Sequence, residues 1–183
     1  MTARTTMATL ISRLRLLIND PTGSSQTFSD DQLQAQLDLY AEYVRYCITT
    51  PIETISNTGA VTYLEYQSQK YFEDSPLLTD GSYNTVTATT TNAIDGRYTF
   101  AASRTPPLLI TGTRFDIYSA AADCWDLKAA NAAASVDFTA DGLSVKRGSI
   151  IDNCQKMAQK YRNMSEAGSS MSILYRTDLN VTG

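Results

Sequence analysis

Residues 28–51 read FSDDQLQAQLDLYAEYVRYCITTP. Ser29 stands as an N-cap with Gln32 three positions on, which is the spacing of a capping box, and Phe28 and Leu33 are placed as its hydrophobic staple. Asp30 and Asp31 then sit at the positive end of the helix dipole. Neighbouring carboxylates can also serve acid–base chemistry, but directly behind an N-cap they are assigned to the helix start. Leu33, Leu37, Tyr40, Val44 and Cys47 or Ile48 keep helical spacing, so the stretch predicts a single helix stopping before Pro51.

Upstream, Met7, Leu10, Ile11, Leu14, Leu17 and Ile18 mark an amphipathic helix over Thr6–Ile18, closed by Pro21 and Gly23. Its short apolar face suits packing against a neighbour better than lying on lipid. Downstream, Thr58–Arg114 changes character. Segments rich in β-branched and aromatic residues, at Ala60–Tyr66, Asn84–Thr90, Arg97–Ala101 and Leu108–Thr111, read as strands, with turns at Asp80-Gly81 and Asp95-Gly96. Nine of the 11 tyrosines fall between Tyr40 and Tyr118. Tyrosine suits interfaces, so the sheet either presents rings to a partner or packs thinly on its own helices.

Beyond Pro106-Pro107, Ile117, Ala120, Ala121, Cys124, Leu127 and Ala130 or Ala134 predict a helix over Asp116–Ala134. Val136–Val145 reads as a hairpin around Asp141-Gly142 with Phe138 and Val145 as anchors. A last helix carries Ile150 or Ile151, Cys154, Met157, Ala158 and Tyr161 to about Ala167. Met171, Ile173, Tyr175, Leu179 and Val181 then alternate along the tail, apart from one skip, as in a strand awaiting a sheet edge. The expected fold is mainly α: a small four-helix bundle (1–57 and 115–167), a large antiparallel β insertion (58–114) between the second and third helices, and an extended C-terminal tail (168–183).

Composition narrows the chemistry. Histidine is absent, which removes Ser/His/Asp and Cys/His nucleophilic machinery. No nucleotide-binding glycine loop, C-x-x-C pair or EF-hand spacing occurs. A net charge of −4 gives no basic footprint for gripping phosphates. Arg13 and Arg15 interrupt the first apolar run and no long apolar stretch follows, an argument against an export signal or a membrane span. The 3 cysteines, Cys47, Cys124 and Cys154, stand far apart on apolar helical positions as reduced, buried thiols. Catalysis would fall to carboxylates, with Glu65, Glu73, Asp74 and Asp116 the least explained. They form no spaced cluster, and solvated or salt-bridged surface roles suit them better.

The helix, the N-D-P-x-G break at Asn19–Gly23, the F-S-D-D-x-L start at Phe28–Leu33, the tyrosine-rich β segment, P-P, the alanine-rich helix, D-F-x-A-D-G at Asp137–Gly142 and a closing helix with Y-R at Tyr161-Arg162 follow one another in an order that resembles the head-to-tail connector (adaptor) proteins of tailed bacteriophages. The resemblance spans Leu10 to about Arg162. It implies a non-enzymatic virion protein, assembled in the host cytoplasm and located in the neck. There it would form a homo-oligomeric ring, a dodecamer, between portal and tail, with DNA passing through the lumen without sequence-specific binding. It implies no cofactor, metal or membrane. By position, Met171, Ile173, Leu174, Tyr175 and Leu179 would dock the portal protein. Tyr63, Tyr66, Tyr71, Tyr83 and Tyr98 would face a neighbouring subunit or the next tail or stopper protein. The alternatives are a tail-completion or terminator protein and a carboxylate-dependent metal enzyme of the virion.

Overall fold

The computed structural model describes residues 3–55, 59–134, 139–140, 143–144 and 147–165. Helix α1 (Ala8–Ile18) follows a short 3-10 turn at Thr5–Met7 and turns Leu10, Ile11, Leu14 and Ile18 inward. It ends at Asn19 in the left-handed conformation. Helix α2 (Asp30–Asp38) opens with the expected capping box: the Gln32 amide N–H donates to Ser29 Oγ at 3.2 Å and the Ser29 amide N–H donates to Gln32 Oε1 at 2.8 Å. Ser29→Ala should therefore cost about 0.5–2 kcal/mol, read as a lowered thermal midpoint.

The predicted long helix stops ten residues early, because α2 ends at Asp38 and the chain turns directly into strand. The strands that follow are β1 (Ala41–Ile48), β2 (Thr50–Ile55), β3 (Val61–Gln67), β4 (Leu77–Asp80), β5 (Thr90–Asn92), β6 (Arg97–Thr99) and β7 (Leu108–Phe115). Helix α3 (Ile117–Ala133), the two-residue strands β8 (Thr139–Ala140) and β9 (Leu143–Ser144), and helix α4 (Arg147–Met164) follow. β8 and β9 pair antiparallel as the expected hairpin requires, whereas the expected turn at Asp141-Gly142 and the proposed anchors Phe138 and Val145 lie outside the described residues. The Asn84–Thr90 segment is not a strand; Thr85 makes a lone bridge to Thr79 and β5 begins only at Thr90.

Two antiparallel sheets result, one in the order β1-β7-β4 and the other β2-β3-β6-β5. Among the described residues the chain is thus α+β, with four α-helices, these two sheets and the β8–β9 pair, and not a mainly-α bundle carrying an insertion at 58–114. Two features misled the periodicity. A bulge in β1 lets Val44 and Cys47 oppose Gly112 and Ile110, which are two apart on β7. One extra residue therefore brings positions three apart to the same sheet face, the spacing a helix also gives. Pro51, expected to stop a helix, lies in β2 at the rim of its sheet, where a strand tolerates a missing N–H.

The helices enclose one core, built on Leu10, Leu14, Leu33, Leu37, Ile117 and Tyr161 with Phe115 of β7. The sheets enclose a second, built on Tyr66, Phe72, Leu78, Tyr98, Phe100 and Ile110. Thr49 alone links β1 to β2 and so carries the chain from one sheet to the other. It is buried, and both its amide N–H and its hydroxyl donate to the Leu108 carbonyl, each at 2.9 Å. Gly96 closes the turn before β6 with φ +67°; a Cβ there would stand 2.2 Å from the Gln69 carbonyl oxygen, so no other residue fits.

Candidate interaction surface

Register defines the two faces of the first sheet. Leu108 and Ile110 of β7 point into the second core, so Leu109, Thr111 and Thr113 belong to the opposite face. Cross-strand pairing sets Tyr43 and Ile48 of β1 beside Thr113 and Leu109, and Leu77 of β4 beside Thr111. On that outer face Tyr43 is 68%, Ile48 70% and Leu77 44% exposed, while Leu109 and its partner Thr79 are buried. Tyr83 meets Tyr46 edge to face at 5.0 Å, and the Arg45 guanidinium lies 5.1 Å from the Tyr46 ring centre. Tyr43, Pro76, Leu77, Thr111 and Thr113 line a shallow groove of about 300 Å³. The bulge at Arg45 and Tyr46, with Tyr46 at φ +51°, breaks the line of β1 and blunts its edge against strand addition. The face, rather than the edge, is what the sheet presents.

The second sheet presents a ribbon. β6 pairs with β3 only at Glu65–Gln67, and the 100–104 loop holds Leu64 and Tyr63. Beyond Tyr63, β2 and β3 pair only with each other. Ile55 opposes Val61 and Glu53 opposes Tyr63, so these four share a face, while Thr54 and Thr62 take the other. Ile55 and Val61 are exposed, whereas Tyr63 packs against the second core. The apolar face therefore runs from Tyr63 at the second core to the exposed Ile55 and Val61.

The structure separates the five tyrosines expected at contacts. Tyr83 is exposed and Tyr63 half-buried. Tyr66 and Tyr98 are fully buried in the second core, where burial pushes the Tyr98 phenol up to about 12 and the Tyr66 hydroxyl donates to the Arg104 carbonyl at 2.6 Å. Tyr71 joins sheet to helices: its ring meets Tyr118 edge to face, the two hydroxyls lie 3.0 Å apart, and Tyr118 stacks on Tyr161. Burial and that hydrogen bond push the Tyr71 phenol up to about 12. The docking residues Met171, Ile173, Leu174, Tyr175 and Leu179 lie outside the described residues.

The unexplained acids have partners. Glu73 accepts from Arg4 and from the Thr6 hydroxyl, Asp74 from the Thr9 hydroxyl at 3.0 Å, and Glu65 pairs with Arg97. Asp116 caps α3 through the amides of Tyr118 and Ser119, both at 3.1 Å. Among the described residues no three His, Cys, Asp or Glu side chains converge as a metal would require. No described helix is long and apolar enough to cross a membrane. Cys124 and Cys154 are buried free thiols, and burial raises Cys124 to about 12; Cys47 is half-buried on a strand, not on a helix.

Tyr43, Tyr46, Ile48 and Leu77 are not expected at contacts from the sequence, where Ile48 reads as a helix position. The available signal was the run of aromatic and β-branched residues from Tyr43 to Thr50, which helical spacing masked. Set against protein-family models, curated proteins and solved structures, the chain matches none.

Proposed function

We propose that this chain is a structural connector subunit of a tailed-phage virion, one copy of a ring between portal and tail through which DNA passes. The observation that carries the proposal is the apolar patch on the outer face of the β1-β7-β4 sheet, where Tyr43, Ile48 and Leu77 stand exposed. Exposed apolar surface concentrated on one face marks a site of association. The order of sequence motifs, which resembles that of phage adaptors, supplies the identity of the partners: further copies of the chain, the portal protein, and the next tail or stopper protein.

The test is electron microscopy of purified virions with gold-labelled antibody against the chain. Label confined to the neck is the expected result; label at the tail tip, or none on mature particles, overturns the reading. The C-terminal segment gives a second test. In this reading Met171, Ile173, Leu174, Tyr175 and Leu179 dock the portal, so truncation after Gly168 should leave melting unchanged and abolish co-sedimentation with portal rings. Loss of folding on truncation would make the segment part of the core instead.

A further inference from the structure

Of the edges of the two larger sheets, β1 is broken by its bulge and β2 carries Pro51 and Glu53, devices that keep an edge from recruiting a stray strand. The edge formed by residues 84–92 has no such device. Asn84 and Val86 bond back to β4: the Asp80 amide N–H donates to the Asn84 carbonyl and the Val86 amide N–H to the Leu78 carbonyl, both at 2.9 Å. β5 then has only β6 beside it. Residues 82–94 contain no charged residue, proline or glycine. Uncharged, β-branched sequence of this kind pairs readily with an extended chain unless something covers it.

Backbone alternation defines what the edge offers. The Phe100 amide N–H donates to the Leu64 carbonyl and the Ser68 amide N–H to the Gly96 carbonyl, so Tyr98, midway between, also bonds toward β3. Arg97 and Thr99 therefore bond toward β5 through their partners Asn92 and Thr90, and the N–H and C=O of Thr91 point outward. Val86 and Ala88 are half-buried against the second core, and a strand added beside them would complete their burial.

A path leads to this edge from the end of α4. Met164 lines a cavity of about 390 Å³ with Gln69, Lys70 and Tyr71. Lys70 also lines a second cavity, of about 280 Å³, whose walls include Gln67, Asn92 and Arg97. Asn92 is the last residue of β5, so the two cavities, joined at Lys70, lead from α4 to the open edge. Ser165–Ser170 span at most about 20 Å when extended, enough to cross them. The residues that follow suit the edge: Ala167–Tyr175 carry no charge, and Met171, Ile173 and Tyr175 stand at every second position.

We infer that residues 171–175 add as a strand to the free edge of β5 in the same copy, with Met171, Ile173 and Tyr175 on the side of the second core. The main-chain groups of Thr91 supply the pairing and the alternate apolar side chains its face. The inference concerns the subunit before any portal is present, so it stands apart from the connector reading; where that reading holds, the portal takes the strand from this edge.

The test is amide hydrogen exchange of the full chain, read by mass spectrometry on peptides covering 84–92 and 170–176. Both segments should exchange at least about tenfold faster in Ile173→Asp and in Thr91→Pro than in the wild type, so that each variant acts on the segment it does not touch. Thr91→Pro removes only an outward N–H, and Ile173→Asp lies in the added strand. A strap of this kind opens well below global unfolding, so Trp125 fluorescence should give one urea midpoint for all three proteins. Exchange of 170–176 in the wild type at the rate of an unstructured peptide, or an effect that stays within the mutated segment, overturns the inference. If Thr91→Pro lowers the midpoint, Ile173→Asp decides alone: faster exchange at 84–92 sustains the pairing and unchanged exchange overturns it. Protection that is independent of protein concentration keeps the strand on its own copy; protection lost on dilution gives the edge to a second copy and overturns the assignment. Gold labelling of virions is read independently, so label at the neck with an unprotected edge would sink this pairing and leave the connector reading standing.

Discussion

Leu14→Ala is expected to destabilise the subunit by about 2–5 kcal/mol, the cost of truncating a buried leucine and leaving a cavity. Leu14 is fully buried at the centre of the α1 stripe, in the core that α2, α3 and Tyr161 of α4 close. Single domains are stable by only about 5–15 kcal/mol, so this one change removes a large share. The protein carries its own reporter: Trp125, the sole tryptophan, donates its indole N–H to the Leu17 carbonyl at 3.3 Å. Urea unfolding followed by its fluorescence should show a lowered midpoint. An unchanged midpoint would mean that α1 is not seated on α3.

Asp20→Ala should cost about 3–5 kcal/mol, the range for stranding a buried charge partner. Asp20 is 1% exposed and its carboxylate gathers the turn between α1 and α2: Arg15 Nη1 donates at 2.9 Å, the Thr27 amide at 2.7 Å and the Phe28 amide at 3.1 Å. Without it the buried Arg15 guanidinium and Phe28 amide lose an acceptor, although Arg15 keeps Asp30 and the Phe28 carbonyl. Surface pairs such as Arg4–Asp38 offer a contrast, since exposed ion pairs contribute about 0–1 kcal/mol. The same residue sets an acid limit. Burial alone would raise the Asp20 carboxyl, but the amides of Thr27 and Phe28, with Lys128 nearby, hold it below the ordinary 3.8. Its contribution is therefore complete above that value and is lost as pH falls through the lower folded value. Denaturation midpoints taken between pH 6 and pH 2 should show this acid-side loss in the wild type and not in Asp20→Ala.

Where local chemistry dictated local structure, the chain was legible. The Ser29 capping box, the α1 stripe, the alanine-rich α3 and the strands around Tyr66, Tyr98 and Ile110 all follow from residues a few positions apart. The failures needed distant partners. The β1 bulge sets Val44 and Cys47 opposite Gly112 and Ile110 of β7, and within residues 41–48 its three-residue spacing reads as helix and masks the aromatic and β-branched run. Tyrosine is equally suited to an interior and to an interface, so composition could not tell that Tyr66 and Tyr98 would furnish a core of their own while Tyr43 and Tyr83 remained outside. Arg15 sits on an apolar helical face, and its burial becomes intelligible only once Asp20 and Asp30 meet it.

Thr49 has a mechanical consequence. With a single buried residue between β1 and β2, and a single residue, Asp116, between β7 and α3, force applied at the ribbon's end has a short, taut path to the helices. There is no slack loop along it to absorb displacement. A load on one end of the subunit would tilt it as a lever, so strain arriving at the sheets would be felt at the helical end without delay.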